Sequence, residues 1–251
     1  SPTELRTIIN QLAKHNNIDS EAEITLEANP DDINKGAVSD WVKEGINRLS
    51  IGVQSFFEED LLWMNRAHNA SQATACIQQA QDAGISNMSI DLIYGTPALT
   101  DEKWMTNLKT AVNLHIPHLS CYALTVEPGT ALDHMTRKKK AANINAEDQA
   151  RQFLLMTDFL QDNGYEHYEI SNLALPGKRS KHNSSYWSGA KYIGLGPSAH
   201  SFNGESRQWN VANNALYIQS LKKDELPFEI EHLSEEQQLN EYIMTSIRTM
   251  E

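Results

Sequence analysis

The feature that most constrains the fold is an alternation of short apolar runs with helical patterns. Residues 87–97, Asn-Met-Ser-Ile-Asp-Leu-Ile-Tyr-Gly-Thr-Pro, have the length of a strand and stop at a Gly-Thr-Pro turn that would end a helix. Apolar residues at both parities predict a parallel strand that is covered on both faces. Asp91 lies in the middle of this run, where a carboxylate must be paired or must bind something.

Polar side chains recur late in the neighbouring runs. Three further runs of this kind are separated by helical patterns: residues 23–30, 47–56 and 118–125. The first carries Glu27 near its end and the second carries Gln54. Because the carboxyl ends of parallel strands build the site of a (β/α) barrel, we expect Glu27, Gln54 and Asp91 to converge on a ligand. A structural Asp91, satisfied by an arginine or by backbone amides, is the competing interpretation.

Charge and composition exclude several classes of partner. The net charge is −12, the wrong sign for a nucleic-acid face, and the one basic run, residues 137–140, falls in a predicted loop and is typical of a solvated hinge. No apolar stretch reaches the roughly 18 residues of a membrane span. Cys76 and Cys121 lie far apart and match neither a disulfide framework nor a metal pair, so we predict a cytoplasmic protein.

Both ends of the sequence have the pattern of a cut chain. Ser1 opens a helix with a capping box at the first residue, and the helix that Ser234 caps runs to the end of the chain without a stop. We therefore expect a piece of a longer protein, truncated at both ends. Between these ends we predict a helix over 145–162, a strand over 165–170 and a polar loop over 171–184.

Four polar side chains form a chemically coherent set. Glu27, Gln54, Arg66 and Asp91 offer two carboxylates, an amide and a guanidinium, which suit a ligand with hydroxyls, an ammonium and a carboxylate. An ion pair of Arg66 with acidic residues of the preceding helix is the competing interpretation for that residue. The glycine pair at 194 and 196 permits a close backbone approach to a ligand, although a tight turn explains it equally well.

Five ordered segments resemble the oxygen-independent coproporphyrinogen III oxidase family of radical SAM proteins. They are Leu-Glu-Ala-Asn-Pro (26–30), Arg-Leu-Ser-Ile-Gly-Val-Gln-Ser-Phe (48–56), Asn-Arg-Ala-His (65–68), Ile-Asp-Leu-Ile-Tyr-Gly-Thr-Pro (90–97) and Gly-Leu-Gly-Pro-Ser-Ala-His-Ser-Phe (194–202). The resemblance implies an α/β fold, a partial (β/α)6 barrel with an α+β C-terminal extension. It assigns residues 1–125 to a barrel that lacks its first strands, and residues 126–251 to the rest of the barrel and a helical extension.

The resemblance also implies cofactors, S-adenosylmethionine (SAM) and a [4Fe-4S] cluster. The positions that match the family's SAM contacts are Glu27, Gln54, Arg66 and Asp91, with weaker matches at Ala123 and His200.

A second motif points to heme. Residues 182–187, His-Asn-Ser-Ser-Tyr-Trp, match the His-Asn-x-x-Tyr-Trp signature of the branch regarded as heme chaperones, which implies that His182, Asn183, Tyr186 and Trp187 bind heme. An imidazole beside two aromatic rings suits a porphyrin. A loop histidine beside two core aromatics is the competing interpretation. The implied function is heme and SAM binding with delivery of heme to an acceptor protein; the alternative is oxidative decarboxylation of coproporphyrinogen III to protoporphyrinogen IX.

One departure from the family bears on activity. The Cys-x-x-x-Cys-x-x-Cys motif that holds the cluster is absent, and neither Cys76, in a predicted helix, nor Cys121, in a predicted strand, can replace it. The glycine-rich stretch that grips the amino group of SAM is missing too. We therefore predict no metal site and no catalytic residue in this chain, and no reductive cleavage of SAM by it. Whether the longer protein catalyses a reaction of its own stays open.

Overall fold

A computed structural model describes residues 1–138 and 144–250 of the chain. Two residues of the predicted basic hinge, Lys139 and Lys140, lie outside the described residues. The chain divides into two compact units, Ser1–Arg179 and Ser180–Glu251, which we call the first and the second unit. The predicted boundary at 125/126 falls inside the first unit, because the segment that follows it adds strands to the same sheet.

The first unit alternates strands with helices. Its helices are α1 (Pro2–His15), α2 (Lys35–Lys43), α3 (Glu58–Trp63), α4 (Ala70–Asp82), α5 (Asp101–Asn113), α6 (Ala131–Arg137) and α7 (Ala146–Asp162). Its strands are β1 (Thr25–Ala28), β2 (Arg48–Gln54), β3 (Met88–Tyr94), β4 (His118–Ala123), β5 (Glu166–Glu169) and β6 (Asn172–Ala174).

The six strands form one mixed sheet in the order β1-β2-β3-β4-β6-β5. The first four are parallel, each joined to the next through helices, while β6 runs antiparallel to β4 and pairs with β5 as a hairpin. The predicted α/β fold with a partial barrel sheet is confirmed.

The two faces of the parallel strands differ in chemistry. Along β2 and β3 one parity is apolar and fully buried against the helices, as at Leu49, Ile51, Ile90 and Leu92. Burying each such side chain contributes about 1.5–3 kcal/mol. Apart from Ile93, the other parity carries polar residues or glycine, and Asp91 and Ile93 on it are only partly buried. The sequence prediction that both faces of β3 are covered therefore holds fully for one face, and it missed that the second face is largely hydrophilic. This polar face carries the candidate site.

The turn after β3 is fixed by a glutamine from α7. Gln152 is buried, accepts a hydrogen bond from the Gly95 amide at 2.8 Å and donates to the Leu99 carbonyl at 2.9 Å. Gly95 has a φ of 74°, and a Cβ there would overlap the side chain of Gln149. A side chain at position 95 would therefore both strain the backbone and displace the side chain of Gln149.

The second unit has its own small antiparallel sheet. Its elements are α8 (Lys181–Trp187), β7 (His200–Phe202), β8 (Ser206–Asn210), α9 (Asn214–Leu221), β9 (Phe228–His232) and α10 (Glu235–Ser246), with sheet order β7-β8-β9. Both strand pairs are antiparallel. This arrangement agrees with the predicted α+β extension.

Local predictions fared unevenly. The capping boxes at Ser1 and Ser234 are present, and α7 and β5 lie where a helix and a strand were predicted. The polar loop over 171–184 was wrong, because β6 and the start of α8 lie inside it. No helix in the described part of the chain combines the length and the apolar composition needed to cross a membrane.

Candidate functional site

The carboxyl ends of β1, β2 and β3 bring three of the predicted polar residues to one edge of the sheet. Glu27 pairs in register with Ser50 of β2, and Asp91 pairs with Ser120 of β4. Gln54 ends β2 on the same polar face, after a shift in register. Its φ of 67° is left-handed, which is uncommon for a residue with a side chain and typical of functional sites.

Gly52 lies against three of the polar side chains, and its lack of a side chain leaves room for them. A Cβ at this position would lie 3.1 Å from Gln54 Nε2, 3.4 Å from Arg66 Nη2 and 3.7 Å from Asn29 Oδ1. Arg66 Nη2 donates to Asn29 Oδ1 at 2.7 Å, so Asn29 orients the guanidinium. A larger residue at position 52 would push these groups apart.

Arg66 keeps hydrogen-bonding capacity for a ligand. Its Nε is buried and has no acceptor among the described residues. The ion pair with the preceding helix, considered from the sequence, is not the one formed: Glu58 accepts from the Ala70 amide, and Glu59 pairs with Lys103. Since guanidinium groups bind carboxylates through such donors, Arg66 suits an anionic group of a ligand.

Asp91 carries a strongly perturbed carboxylate. Burial raises the pKa of Asp91 to about 6, although a hydrogen bond from Ser120 lowers it, and the nearby charge of Glu27 raises it further. The charges of Arg48 and Arg66 oppose this rise in pKa. The structure thus brings Glu27, Arg66 and Asp91 within electrostatic reach of one another, with Gln54 beside Arg66.

A buried network of side-chain hydrogen bonds lies next to these residues, and the sequence analysis did not predict it. Arg48 donates to Ser89 Oγ, Ser89 Oγ lies 2.7 Å from His118 Nδ1, and His118 Nε2 lies 2.7 Å from the Tyr168 hydroxyl. The arginine is 3% exposed and lies 3.9 Å from Glu23. Alternate residues of a strand lie on one face, and this pattern could have indicated the network. Arg48 has the same parity as Ser50 in β2, and Ser89 has the same parity as Asp91 in β3.

Both nitrogens of His118 take part in this network of hydrogen bonds. Arg48 can only donate, so the Ser89 hydroxyl accepts from it, and each imidazole nitrogen of His118 shares a proton with one hydroxyl, Nδ1 with Ser89 and Nε2 with Tyr168. Burial and the charge of Arg48 lower the pKa of His118 to about 3, which keeps the ring neutral. A neutral histidine with both nitrogens engaged links Ser89 of β3 to Tyr168 of β5.

Two of the predicted SAM positions differ from the other four. Ala123 lies on the apolar parity and packs against the core, so only its backbone is available to a ligand on the polar face. His200 belongs to the second unit, where it begins β7 as an exposed residue 6.2 Å from the ring of Trp209. Gly194 packs on the His200 backbone so closely that a Cβ would overlap the carbonyl oxygen, which explains this glycine without a ligand.

The predicted heme residues lie together on α8. Helical spacing places His182 and Tyr186 on one face, with ring centroids 4.9 Å apart and planes at 88°. Tyr186 in turn contacts Tyr192 edge to face at 4.9 Å. Trp187 lies one residue further round the helix, with the guanidinium of Arg248 4.7 Å above its ring. The histidine is therefore helical, not the loop residue of the competing interpretation.

A cavity of about 650 Å³ adjoins this helix within the second unit, and we call it the α8–α10 cavity. It is lined by residues of α8, of the antiparallel sheet and of α10, among them Tyr186, Trp187, Tyr192, Phe202, Arg207, Leu233, Glu241, Tyr242 and Met244. Its volume is within the range of pockets that hold cofactor-sized ligands.

A [4Fe-4S] cluster does not fit the residues of this chain. Its two cysteines are both buried, Cys76 in α4 and Cys121 in β4, and burial raises the pKa of Cys76 to about 12 and that of Cys121 as well. Cluster ligands are thiolates, which such surroundings disfavour. No group of three or more potential ligands that could hold a metal ion occurs in 1–138 and 144–250.

Comparison with known proteins gives consistent likenesses. Residues 2–111 match the model of the radical SAM superfamily. The chain is 32% identical over 228 residues to the heme chaperone HemW of Bacillus subtilis, an alignment that covers 90% of this chain and 60% of that protein. It is 34% identical over 198 residues to the heme chaperone HemW of Escherichia coli, covering 78% of this chain and 51% of the relative.

The fold has a solved counterpart. The structure of coproporphyrinogen III oxidase (HemN) from Escherichia coli, a radical SAM enzyme, superposes with a TM-score of 0.82 at 21% identity, covering 99% of this chain and 60% of that one. At this identity the likeness concerns the fold alone. The chain spans about 60% of the length of the Bacillus relative and of the solved structure.

Proposed function

We propose that the protein, whose residues 2–111 match the radical SAM superfamily model, is a heme chaperone that binds heme and SAM and passes heme to an acceptor protein. The observation that carries this proposal is the His-Asn-x-x-Tyr-Trp arrangement on α8, with its histidine and tyrosine in edge-to-face contact. The likeness to heme chaperones at 32% and 34% identity supports it. Free buried cysteines are consistent with the cytoplasm as its compartment.

The α8 residues divide the binding of heme between them. His182 supplies an imidazole nitrogen for the heme iron, and its contact with Tyr186 holds the ring plane upright on the helix. Ser180 caps the helix by accepting from the Asn183 amide at 3.1 Å, which fixes the first turn where the histidine sits. Tyr186 and Trp187 offer aromatic surface to the porphyrin.

The polar edge of the first unit suits SAM. Arg66, with its unpartnered Nε, binds the carboxylate of the methionine moiety, and Glu27 and Asp91 accept hydrogen bonds from the ammonium or the ribose hydroxyls. Gly52 lets the cofactor approach the backbone beside Gln54. Bound SAM supplies an adenosyl group and a sulfonium charge. We assign this chain no part in cleaving SAM, since the cluster does not fit its residues.

The coproporphyrinogen oxidase alternative receives no specific support. It shares the fold of this chain at 21% identity, and a shared fold does not establish a shared reaction.

Replacing His182 with alanine is expected to weaken heme binding about tenfold, because the iron loses its imidazole ligand while the aromatic surface remains. The measurement is an equilibrium titration of hemin, followed by absorbance, into the chain and into the His182→Ala variant.

The matched control is His232→Ala, which removes an exposed histidine from β9 of the same unit and should leave heme affinity unchanged. If both variants bind hemin as tightly as the parent chain, the heme-chaperone proposal loses its main local support.

A further inference from the structure

The α8–α10 cavity contains buried hydrogen-bond donors that the protein does not use. Trp187 Nε1 and Arg207 Nε are both inaccessible and have no acceptor among the residues that the structure describes. Both residues line the cavity. A buried N–H without an acceptor is destabilising, so each of these side chains gains an acceptor if a small shift brings its N–H to a ligand oxygen in the cavity.

Arg207 is held in position for such a ligand. Its Nη2 donates to Glu241 at 2.9 Å, and its guanidinium lies 5.5 Å from the centre of the Phe202 ring. A guanidinium has five N–H groups, so one hydrogen bond from Nη2 to a carboxylate leaves Nε–H and the two Nη1 hydrogens for a second acceptor. Arg207 is the one cationic side chain among the residues that line the cavity in the described part of the chain.

The rest of the wall suits a flat conjugated ring system. Tyr192 contacts Tyr186 edge to face and lies 6.3 Å from Phe202, which makes a continuous aromatic surface from α8 to β7. Leu233 and Met244 add apolar surface. Stacking and apolar contact on this wall favour an aromatic body, while the unused donors favour an acidic edge.

We propose that the α8–α10 cavity binds the propionate-bearing edge of a tetrapyrrole, with Arg207 and Trp187 donating to the propionate oxygens. Arg207 then determines specificity for free carboxylic acids. This inference rests on the proposed heme-binding function and extends it to residues outside the α8 motif. Ligation of the iron by His182 and recognition of the propionates by Arg207 are separate events, so each can be tested alone.

The experiment compares three probes: hemin, hemin dimethyl ester and iron-free protoporphyrin IX. We expect the chain to bind hemin about tenfold more tightly than its dimethyl ester, because the ester cannot form the charge-assisted hydrogen bond. In Arg207→Met, which keeps an apolar stem out to the position of Nε and removes the guanidinium, the two should bind equally weakly. Trp187→Phe, which keeps an aromatic ring and loses the N–H, should weaken hemin binding by a smaller factor.

Protoporphyrin IX separates this inference from the function on which it rests. It carries the same propionates without iron, so its affinity should fall in Arg207→Met and should not change in His182→Ala. If the parent chain does not bind hemin but binds protoporphyrin IX through Arg207, the chaperone proposal is overturned and the present inference is not.

The matched control is Arg151→Met, at a surface arginine of α7 paired with Asp101 and Asp148. It should leave the preference for the free acid intact. Circular dichroism of Arg207→Met confirms that the variant folds, and Arg207→Lys, which keeps the charge, should retain part of the preference. If folded Arg207→Met still prefers hemin to the ester tenfold, the inference is overturned.

Discussion

Replacing Asp91 with asparagine is expected to raise the free energy of unfolding by about 3 kcal/mol at pH 8 and to weaken SAM binding more than tenfold. Burial raises the pKa of Asp91 from 3.8 to about 6, so the folded state disfavours the ionised carboxylate. Each pKa unit corresponds to about 1.36 kcal/mol. Asparagine keeps the shape without the charge, which removes the penalty but also removes the charged acceptor that we propose for SAM.

The stability gain expected for Asp91→Asn depends on pH. Because the folded pKa of Asp91 lies above the unfolded one, the contribution of Asp91 to stability is greatest below pH 3.8 and is lost as the pH rises through 6. The gain from Asp91→Asn should therefore vanish below pH 4. Urea unfolding at pH 4 and pH 8 measures it, and calorimetric titration measures SAM affinity. Asp82→Asn, at the carboxyl end of α4, is the control. An equal stability change at both pH values would refute the prediction.

Replacing His118 with glutamine is expected to remove about 2 kcal/mol of acid sensitivity between pH 7.5 and pH 5. Burial lowers the pKa of His118 from 6.5 to about 3, so at pH 5 the ring is protonated only in the unfolded chain. Stability is fully present above pH 6.5 and is lost as the pH falls, by about 1.36 kcal/mol per unit. Glutamine does not titrate, yet it can still donate to Tyr168 and accept from Ser89.

The measurement is the difference in unfolding free energy between the parent chain and the variant at the two pH values. At pH 7.5 the variant should be the less stable protein, since it loses ring packing. By pH 5 most of that deficit should be gone. His232→Gln serves as the control, and parallel pH profiles for the parent chain and His118→Gln would contradict the account. Asp91 and His118 act in opposite directions over this range, so each variant exposes the contribution of the other residue.

The sequence was sufficient to predict most of the first unit. Its strands are apolar runs that end in turn residues, and a parallel sheet requires their carboxyl ends to meet, so the pattern alone places Glu27, Gln54 and Asp91 at one edge. Arg66 was grouped with them because its guanidinium complements their carboxylates and amide, and the resemblance to the family assigned it to the same site. The structure adds what orients it, the contact with Asn29.

The buried hydrogen-bond network that links Arg48 to Tyr168 was not predicted, although the sequence contains part of the pattern that indicates it. Polar residues at alternate positions of β2, β3 and β4 mark one face as hydrophilic. The sequence does not reveal that Tyr168 of β5 reaches the same face, because β5 joins the sheet through the antiparallel strand β6. A strand of three residues has little periodicity, and its direction is set by tertiary pairing.

The second unit was less accessible to sequence reasoning for a related reason. The motif on α8 identified His182, Tyr186 and Trp187, but Arg207 lies in β8 and Glu241, which accepts a hydrogen bond from it, lies in α10, far along the chain. Arg207 lies in a short strand with mixed polarity, where nothing local marks it as a ligand contact. The unpartnered Nε of Arg207 indicates a ligand contact only once the packing of α8, the sheet and α10 is known.

The most direct test of the central claim is the electron paramagnetic resonance spectrum of the ferric heme complex. We predict a spectrum typical of imidazole ligation in the parent chain, its loss in His182→Ala and its recovery when free imidazole is added to that variant. Identical spectra for the parent chain and His182→Ala would contradict the assignment of His182 as the heme ligand, and with it the proposed function.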